Sequence, residues 1–334
     1  MEQKVRVLNM KEVKQILSMS NVLGLVEKAF KERGLKHVQM PPKSYLFFQK
    51  FSGDLRVMPA YLERLDEVGV KLVSVHPGNP SKYGLPTVLA TIVLFDPETG
   101  TLISLMDGTR ITAMRTAAAS GVAVKYLARK DARVLGIIGS GYQSTFQLDA
   151  LNKVMKIESV KIFDVIEKEA ENLAVIAREK FGLNARMVAT AEDAVRGSDV
   201  LVTVTPTRTP VVKSEWVTEG MHINTIGADA PGKEELEAGI LKRAKIVIDD
   251  WEQASHSGEI NVPLSKGMIT KASIYAEIGE IVAGAKPGRI SADEITIFDT
   301  TGLAIQDIIT AWRVYEIAEK EGIGRELEPL YCEC

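Results

Sequence analysis

Residues Val134-Leu-Gly-Ile-Ile-Gly139-Ser-Gly141-Tyr-Gln-Ser144 run a short apolar strand straight into a Gly-x-Gly-x-x-Ser turn. A helix opening at that turn offers free backbone N–H groups and the positive end of its dipole, the arrangement that holds a dinucleotide pyrophosphate. A redox enzyme is the first expectation. About 130 residues precede the turn, enough for a domain of ordinary size. The nucleotide unit is therefore expected to be the second half, with most substrate groups upstream of it and the chemistry between the two halves.

Composition permits this and excludes some partners. A chain of 334 residues that is 46% hydrophobic and 25% charged can bury a substantial core, and its formal charge of −3 gives no strongly positive surface for a phosphate backbone. No nucleic-acid partner is expected. The N-terminus, Met1-Glu-Gln-Lys-Val-Arg, leads into no long apolar region, and no apolar run reaches the roughly 18 residues of a membrane span. The expectation is a soluble cytoplasmic protein without a membrane partner. Cys332 and Cys334 supply at most half of a four-ligand zinc site. His37, His76, His222 and His256 show no short ligand spacing, so no metal centre is expected.

The upstream half begins as a strand at Val5 to Leu8 and a helix from about Met10 to Arg33, with Val13, Ile16, Leu17, Leu23, Val26 and Phe30 at helical spacing and Gly34 as the stop. Short β-rich runs follow at Ser44 to Gln49, Leu55 to Ala60, Gly69 to His76, Leu89 to Phe95 and Thr101 to Leu105. Turn-like Ser52-Gly-Asp54, Pro77-Gly-Asn-Pro80 and Asp96-Pro-Glu-Thr-Gly100 separate them. A mostly antiparallel sheet packed on helices fits, followed by a small-residue helix at Ile111 to Ala128. From Val134 the order alternates: strands at Ser159 to Phe163, Val200 to Thr205, Met221 to Ile226, Ile246 to Asp249 and Ile295 to Phe298, with a further segment at Ala185 to Val188. Helices are expected near Gln143 to Val154, Lys168 to Phe181 and Asp193 to Arg196. The fold class is α/β, a central Rossmann-type parallel sheet joined to an α+β domain. A last helix from Ala304 to Glu319 is placed to return to the first domain, making it discontinuous.

Asp164 stands at the end of the strand after the glycine turn, 25 positions beyond Gly139. A carboxylate there can accept hydrogen bonds from an adenosine ribose and repels a 2′-phosphate, which favours NAD; capping of the strand end is the alternative. Lys43, Arg56, Lys71 and Arg115 bring cations into apolar or turn-rich surroundings, where arginine can fork a carboxylate and lysine can bind it or exchange a proton. An amino-acid or keto-acid pocket follows, although each cation alone could equally be a solvated or ion-paired surface group. Arg110 is read as structural. Asp229, in Ile226-Gly-Ala-Asp229-Ala-Pro-Gly232, is expected after a strand and before a helix. There it either exchanges a proton with a substrate amine or caps that helix.

Taken in order, Arg56-Val-Met-Pro-Ala, Val70-Lys71-Leu-Val, Met114-Arg115-Thr-Ala-Ala, Gly139-Ser-Gly-Tyr-Gln, His222-Ile-Asn-Thr-Ile-Gly-Ala-Asp229-Ala-Pro-Gly-Lys233, Glu277-Ile-Gly-Glu280 and Phe298-Asp-Thr-Thr301-Gly302-Leu-Ala span nearly the whole chain. This series resembles the ornithine cyclodeaminase/mu-crystallin family, and within it the archaeal-type members that oxidise L-alanine. The resemblance implies a substrate-binding and dimerisation domain at residues 1–120, an NAD-binding Rossmann domain at 121–302, and a C-terminal helix and tail at 303–334 returning to the first. It implies a homodimer. It further implies that Lys43, Arg56, Lys71 and Arg115 bind the substrate and that Lys71 and Asp229 are catalytic. Cofactor contacts are implied at Arg115, Thr116, Gly139, Ser140, Gly141, Tyr142, Gln143, Asp164, Val204, Thr205, Gly227, Asp229, Thr301 and Gly302. The implied reaction is NAD-dependent oxidative deamination of L-alanine to pyruvate and ammonia, and its reverse.

One departure from the family bears on the substrate. Cyclodeaminases tend to carry an acid where this chain has Arg56, and Lys43 stands where an arginine is common. A cation at 56 disfavours the distal ammonium of ornithine and favours a small monoamino acid. The alternatives left open are an ornithine cyclodeaminase forming proline, a reductase of cyclic or N-alkyl imines, and a nucleotide-dependent, crystallin-like binding protein on the same scaffold.

Overall fold

The computed structural model describes residues 4–329. The chain divides into two units, one formed by the residues up to Arg115 with those from Leu303 onward, the other by Thr116–Gly302. The first crossing thus lies inside the helix Thr109–Leu127, a little before the expected boundary at 120.

In the first unit the strands lie in the order Arg325–Leu327, Val5–Leu8, Leu102–Asp107, Val88–Phe95, Glu67–Val75, Gly53–Leu62 and Val38–Gln39, with Ser44–Phe48 also pairing to Gly53–Leu62. All neighbours are antiparallel except Val5–Leu8 against Leu102–Asp107. The period of two sends Arg56, Met58, Ala60, Leu62, Lys71, Val73, Ala90, Ile92 and Leu94 into a buried face. Helix Ala304–Glu321 covers that face, packing on the strands Gly53–Leu62, Glu67–Val75 and Val88–Phe95 and on helix Met19–Gly34. Its buried stripe, Ile305, Ile308, Ile309, Ala311, Val314 and Ala318, has helical spacing. Where it crosses Gly69 a Cβ would sit 2.6 Å from the Val93 carbonyl oxygen and 3.0 Å from Ile308 Cδ1, so only glycine fits.

The expected helix over Met10 to Arg33 is two helices, Met10–Ile16 and Met19–Gly34. Helical spacing of the apolar residues hid the break, because Leu17 is buried yet extended (ψ 130°). A local polar group makes the break: the Ser18 hydroxyl accepts the Asn21 N–H as the N-cap of the second helix. Ser52-Gly-Asp54 also differs from expectation, since Gly53 and Asp54 already belong to a strand.

The second unit is a parallel sheet in the order Ala185–Met187, Ser159–Phe163, Val134–Ile138, Val200–Thr203, His222–Thr225, Thr296–Asp299, Lys245–Ile248 and Ile274–Glu277. Val200–Thr203, His222–Thr225 and Thr296–Asp299 are buried at every residue, as strands covered on both faces must be. The order reverses between Val134–Ile138 and Val200–Thr203, the switch point at which an open α/β sheet accepts a ligand beyond its carboxyl ends. The sequence reading did not mark the strand Ile274–Glu277 or the short helices Trp251–Ser257, Asn261–Ser265 and Ile278–Val282. Among the described residues no helix is long and apolar enough to cross a membrane.

Helix Ala191–Val195 lies so close to the first strand of this sheet that a Cβ on Gly136 would fall 2.3 Å from the Ala194 carbonyl oxygen and 2.9 Å from Ser198 Oγ. Gly136→Ala is expected to destabilise the chain by about 1–3 kcal/mol through overpacking. A melting curve superposable on that of the parent would show that the helix gives way freely.

Candidate active-site residues

In the second unit the glycine turn has the backbone that the motif predicts. Gly139 has φ +100°, and a Cβ there would meet the Val204 carbonyl oxygen at 2.8 Å and Thr205 Cγ2 at 3.1 Å. Glycine is needed for both reasons. Above Gly141 a Cβ would meet nothing within 4 Å, and Gly141 caps the helix Tyr142–Val154 without any side-chain hydrogen bond. No side chain caps the start of that helix, which leaves the positive end of its dipole uncovered by an acid, and the turn fits a dinucleotide phosphate. Ser140 is buried and Ser144 Oγ donates to the Gly139 carbonyl at 2.8 Å. Tyr142 is exposed and edge-on to Phe146, and Gln143 is half-buried beside it.

Asp164 reaches this turn. Its Oδ2 accepts the Ser140 N–H at 2.7 Å and its Oδ1 accepts the Ile166 N–H at 2.9 Å. Each carboxylate oxygen has a second lone pair, so the turn-holding and ribose-binding roles are compatible.

The other expected cofactor positions are tied together by carboxylates that the sequence reading passed over. Glu235, fully buried, accepts the Thr203 hydroxyl (2.8 Å), the Thr205 N–H (2.7 Å) and hydroxyl (2.8 Å), and the Gly227 N–H (2.8 Å). One side chain thus joins the loops after two neighbouring strands and fixes Val204, Thr205 and Gly227 relative to the glycine turn. Asp249 does the same for the loop after Thr296–Asp299, accepting the Thr301 N–H (2.6 Å), the Gly302 N–H (2.8 Å) and the Thr300 hydroxyl (3.1 Å). Asp249 ends the run Ile246-Val-Ile, and an acid at a strand's carboxyl end was the available signal. Glu235, beside Glu234 in an irregular segment, gave none.

Behind these two lie Glu259 and Asp299. Glu259 accepts the Glu235 N–H at 2.9 Å and the Leu236 N–H at 2.7 Å, and Asp299 accepts the Ile260 N–H at 3.2 Å. Both are buried beyond the reach of water. Loss of hydration, reinforced by the neighbouring Glu235, holds the Glu259 carboxyl well above its ordinary range. Burial likewise pushes Asp299 up to about 8, and it raises Glu235 against the pull of its hydrogen-bond donors.

Asp229 is half-buried in an irregular segment, and the next helix, Ala238–Leu241, begins only after Glu237. The helix expected directly after Asp229 is absent, and with it the capping role: Pro231 and Gly232 continue the loop. Instead Asp229 Oδ1 pairs with Lys233 Nζ at 2.5 Å. Thr116 is half-buried one residue after Arg115 on the helix Thr109–Leu127.

Of the four candidate cations, Lys71 and Arg56 lie on the buried face of the first unit's sheet, Arg115 comes from the helix Thr109–Leu127, and Lys43 stands half-buried just ahead of strand Ser44–Phe48. Lys71, without solvent exposure, places Nζ 2.5 Å from Asp307 Oδ2, and Arg115 Nε lies 2.9 Å from Asp307 Oδ1. Arg115 Nη1 also donates to Gln306 Oε1 at 3.1 Å. Loss of hydration, the neighbouring Arg115 and, least, half-buried Lys43 lower Lys71 to about 7 despite the opposing pull of Asp307. A lysine so placed can change protonation state near neutrality. Arg56, buried on the same face, is forked by Asp54 (Nε–Oδ1 2.9 Å, Nη2–Oδ2 3.1 Å) and lies 5.4 Å from the Tyr45 ring centre. Its charge is balanced by a residue read from the sequence as part of a turn, which weakens the argument that Arg56 repels a distal ammonium.

Asp307 and Gln306 were missed because an acid in a helix's first turn is ordinary dipole chemistry, and nothing local reports its burial. Among the described residues no group of His, Cys, Asp and Glu is arranged to hold a metal ion. Cys332 and Cys334 lie outside the described residues.

The sequence profile of the Ornithine cyclodeaminase/mu-crystallin family matches residues 3–322. The chain is 53% identical to the alanine dehydrogenase of Archaeoglobus fulgidus over 322 residues, 96% of this chain and 98% of that one. It superposes on an archaeal alanine dehydrogenase dimer with bound NAD with a TM-score of 0.94 at 52% identity, covering 97% of this chain and 99% of the other. Against the Thermococcus litoralis Delta(1)-pyrroline-2-carboxylate reductase in complex with NADH and L-proline the TM-score is 0.93 at 42% identity, covering 96% and 100%.

The buried acids give the second unit a defined response to pH. Folded, Asp299 keeps its proton up to about 8; unfolded, it releases it near 3.8. Between those values the folded state binds the extra proton, so stability falls as pH rises and this group's contribution levels off above about 8. Urea midpoints of the parent are expected to fall from about pH 5 to about pH 8 more steeply than those of Asp299→Asn. Equal slopes would remove Asp299 from the response.

Proposed function

The chain belongs to the ornithine cyclodeaminase/mu-crystallin family, and on that premise we propose that it is an NAD-dependent enzyme that oxidises L-alanine to pyruvate and ammonia and runs the reverse reductive amination. The observation that carries this reading is the 53% identity to an alanine dehydrogenase over 96% of this chain and 98% of that one. The balance is L-alanine, NAD⁺ and water giving pyruvate, ammonium, NADH and a proton. NAD, when bound, accepts the hydride from the alanine Cα.

The remaining tasks belong to side chains. Arg115 and Lys71 orient the alanine carboxylate by charge and hydrogen bonds, assisted by Lys43 and Arg56. Asp229 takes a proton from the substrate ammonium, releases it to solvent, and then takes one from the water that adds to the imine and returns it to the departing amine; Lys71, poised near neutrality, shares this proton traffic. Gly139, Ser140, Gly141, Tyr142 and Gln143 hold the pyrophosphate and Asp164 the adenosine ribose. Val204, Thr205, Gly227, Thr301 and Gly302 line the rest of the dinucleotide, with Arg115 and Thr116 contributing. Exposed Leu46, Phe47, Phe51 and Leu72 support a homodimer formed through the first unit's sheet; the cytoplasm is the compartment proposed for it.

A second reading has its own support. The similarity to a Delta(1)-pyrroline-2-carboxylate reductase at 42% identity favours reduction of a cyclic imine on the same residues. Purified protein supplied with NAD and L-alanine is expected to yield NADH and pyruvate in equal amounts. Faster oxidation of NADH with Δ1-pyrroline-2-carboxylate than with pyruvate and ammonia would replace the first reading by the second. Proline formed from L-ornithine without net NADH would replace both by cyclodeamination.

Asp229→Asn tests the proton-transfer assignment. The turnover number is expected to fall by about 10²–10⁴, while the dissociation constant for NAD stays within a few-fold. Undiminished turnover at saturating substrates would show that Asp229 moves no proton.

A further inference from the structure

The described residues of the first unit hold one carboxylate that serves two of the proposed substrate cations at once. We propose that Asp307 is the positioning residue of the substrate site. A single water-free carboxylate sets the geometry of Lys71 and Arg115 and by its charge keeps Lys71 an ammonium that can bind an anion. The inference rests on the assignment of Lys71 and Arg115 to the substrate carboxylate.

The geometry is specific. Asp307 has no solvent exposure and spends one oxygen on each cation, Oδ2 on Lys71 Nζ at 2.5 Å and Oδ1 on Arg115 Nε at 2.9 Å. Gln306 steadies the same guanidinium: its Oε1 accepts Arg115 Nη1 at 3.1 Å and the Leu303 N–H at 3.0 Å. Two consecutive residues in the first turn of Ala304–Glu321 therefore fix a residue 192 positions earlier in the chain. These contacts use two of the five guanidinium N–H groups.

The charge count explains why such a residue is needed. Lys71, Arg115 and Asp307 together carry one net positive charge when Lys71 is protonated, and an incoming carboxylate neutralises it. Without Asp307 the two cations would repel each other in a medium of low polarity, and Lys71, the weaker base, would give up its proton. The charged groups acting on Lys71 are Asp307 from helix Ala304–Glu321, Arg115 from helix Thr109–Leu127 and Lys43 ahead of strand Ser44–Phe48. Its register partners on the adjacent strands, Met58 and Ile92, are uncharged. Asp307 alone among these groups favours the ammonium form.

The test compares the parent, Asp307→Asn and Asp307→Glu by circular dichroism, by the pH dependence of kcat and KM for L-alanine, and by calorimetric binding of propanoate, which carries the carboxylate but no amine. The Asn variant is expected to weaken propanoate and raise KM roughly a hundredfold, with a smaller change in kcat. The limb of the pH profile due to Lys71 should move to lower pH, since loss of a nearby negative charge disfavours the ammonium. The Glu variant, which keeps the charge but displaces it by one methylene, should restore the limb and only part of the affinity. If the Asn variant fails to fold, the Glu variant carries the test by that split between limb and affinity.

Unchanged KM and limb in Asp307→Asn, or equal losses in both variants without movement of the limb, would overturn the positioning role. If the parent does not oxidise alanine yet binds propanoate in an Asp307-dependent manner, the proposed reaction is wrong and the positioning role stands. If the parent binds no propanoate at any pH, both fall.

Discussion

A charge removed from water must be met by an opposite charge or by hydrogen-bond donors, and the core of the first unit is organised around meeting that demand. Lys71 lies on a sheet face that it shares with Met58, Leu62, Val73, Ile92 and Leu94 and with Arg56, which Asp54 balances. An ammonium is tolerable there only because Asp307 reaches it from the covering helix. The helix must therefore lie in one register on the sheet, with Asp307 over Lys71, Ile308 against Gly69 and the Gln306 amide on Arg115. The close fit of Ile308 on Gly69 resists a slide, and the ion pair adds to it, because a slide would leave a cation and an anion buried apart.

The second unit answers the same demand with donors instead of cations. Glu235 and Asp249 are satisfied mainly by backbone N–H groups and threonine hydroxyls from the loops beyond the parallel strands. Glu235 gathers donors from the loops after two neighbouring strands and Asp249 from the single stretch Thr300–Gly302, so each loop is held by a buried acceptor beyond the end of its strand. This precision costs stability, because Glu259 and Asp299 share the same dry region and repel their neighbours whenever they ionise. Loops that must keep fixed positions around a large ligand are the place where such a cost is tolerated.

Much of this was legible in the sequence where the information is local. The strands Val134–Ile138 and Ser159–Phe163 begin and end where their apolar runs do, and Gly139 adopts the positive φ that its motif requires. Lys71 and Arg115 were singled out from their surroundings, and in the fold they share Asp307 as a partner. That partner was not legible. Asp307, Glu235, Asp249 and Asp54 look like helix-turn, loop, strand-end and turn acids, and their importance arises from groups distant in the chain or from strand geometry. The break at Leu17 escaped for a related reason: a buried leucine keeps helical spacing through a junction that Ser18 and Asn21 decide by one hydrogen bond. Asp229 was placed correctly after a strand, but Pro231 and Gly232 extend a loop where they were read as opening a helix.

The Arg115–Asp307 pair has one more consequence, for the order in which the chain acquires its structure. Arg115 is the last residue before the chain leaves the first unit, and Asp307 follows its return at Leu303 by one helical turn. The sheet from Val5 to Asp107 can pair as soon as it is synthesised, yet the helix that covers its apolar face is the last long element made. Until then the face around Lys71 stays open, and the unit waits for a contact across 192 positions. Closing so long a loop is slow when the intervening chain is unstructured. Folding of Thr116–Gly302 first removes most of that length, so the inserted unit acts as the clasp that lets the earlier one finish, and the nascent sheet remains adhesive for as long as the clasp is unmade.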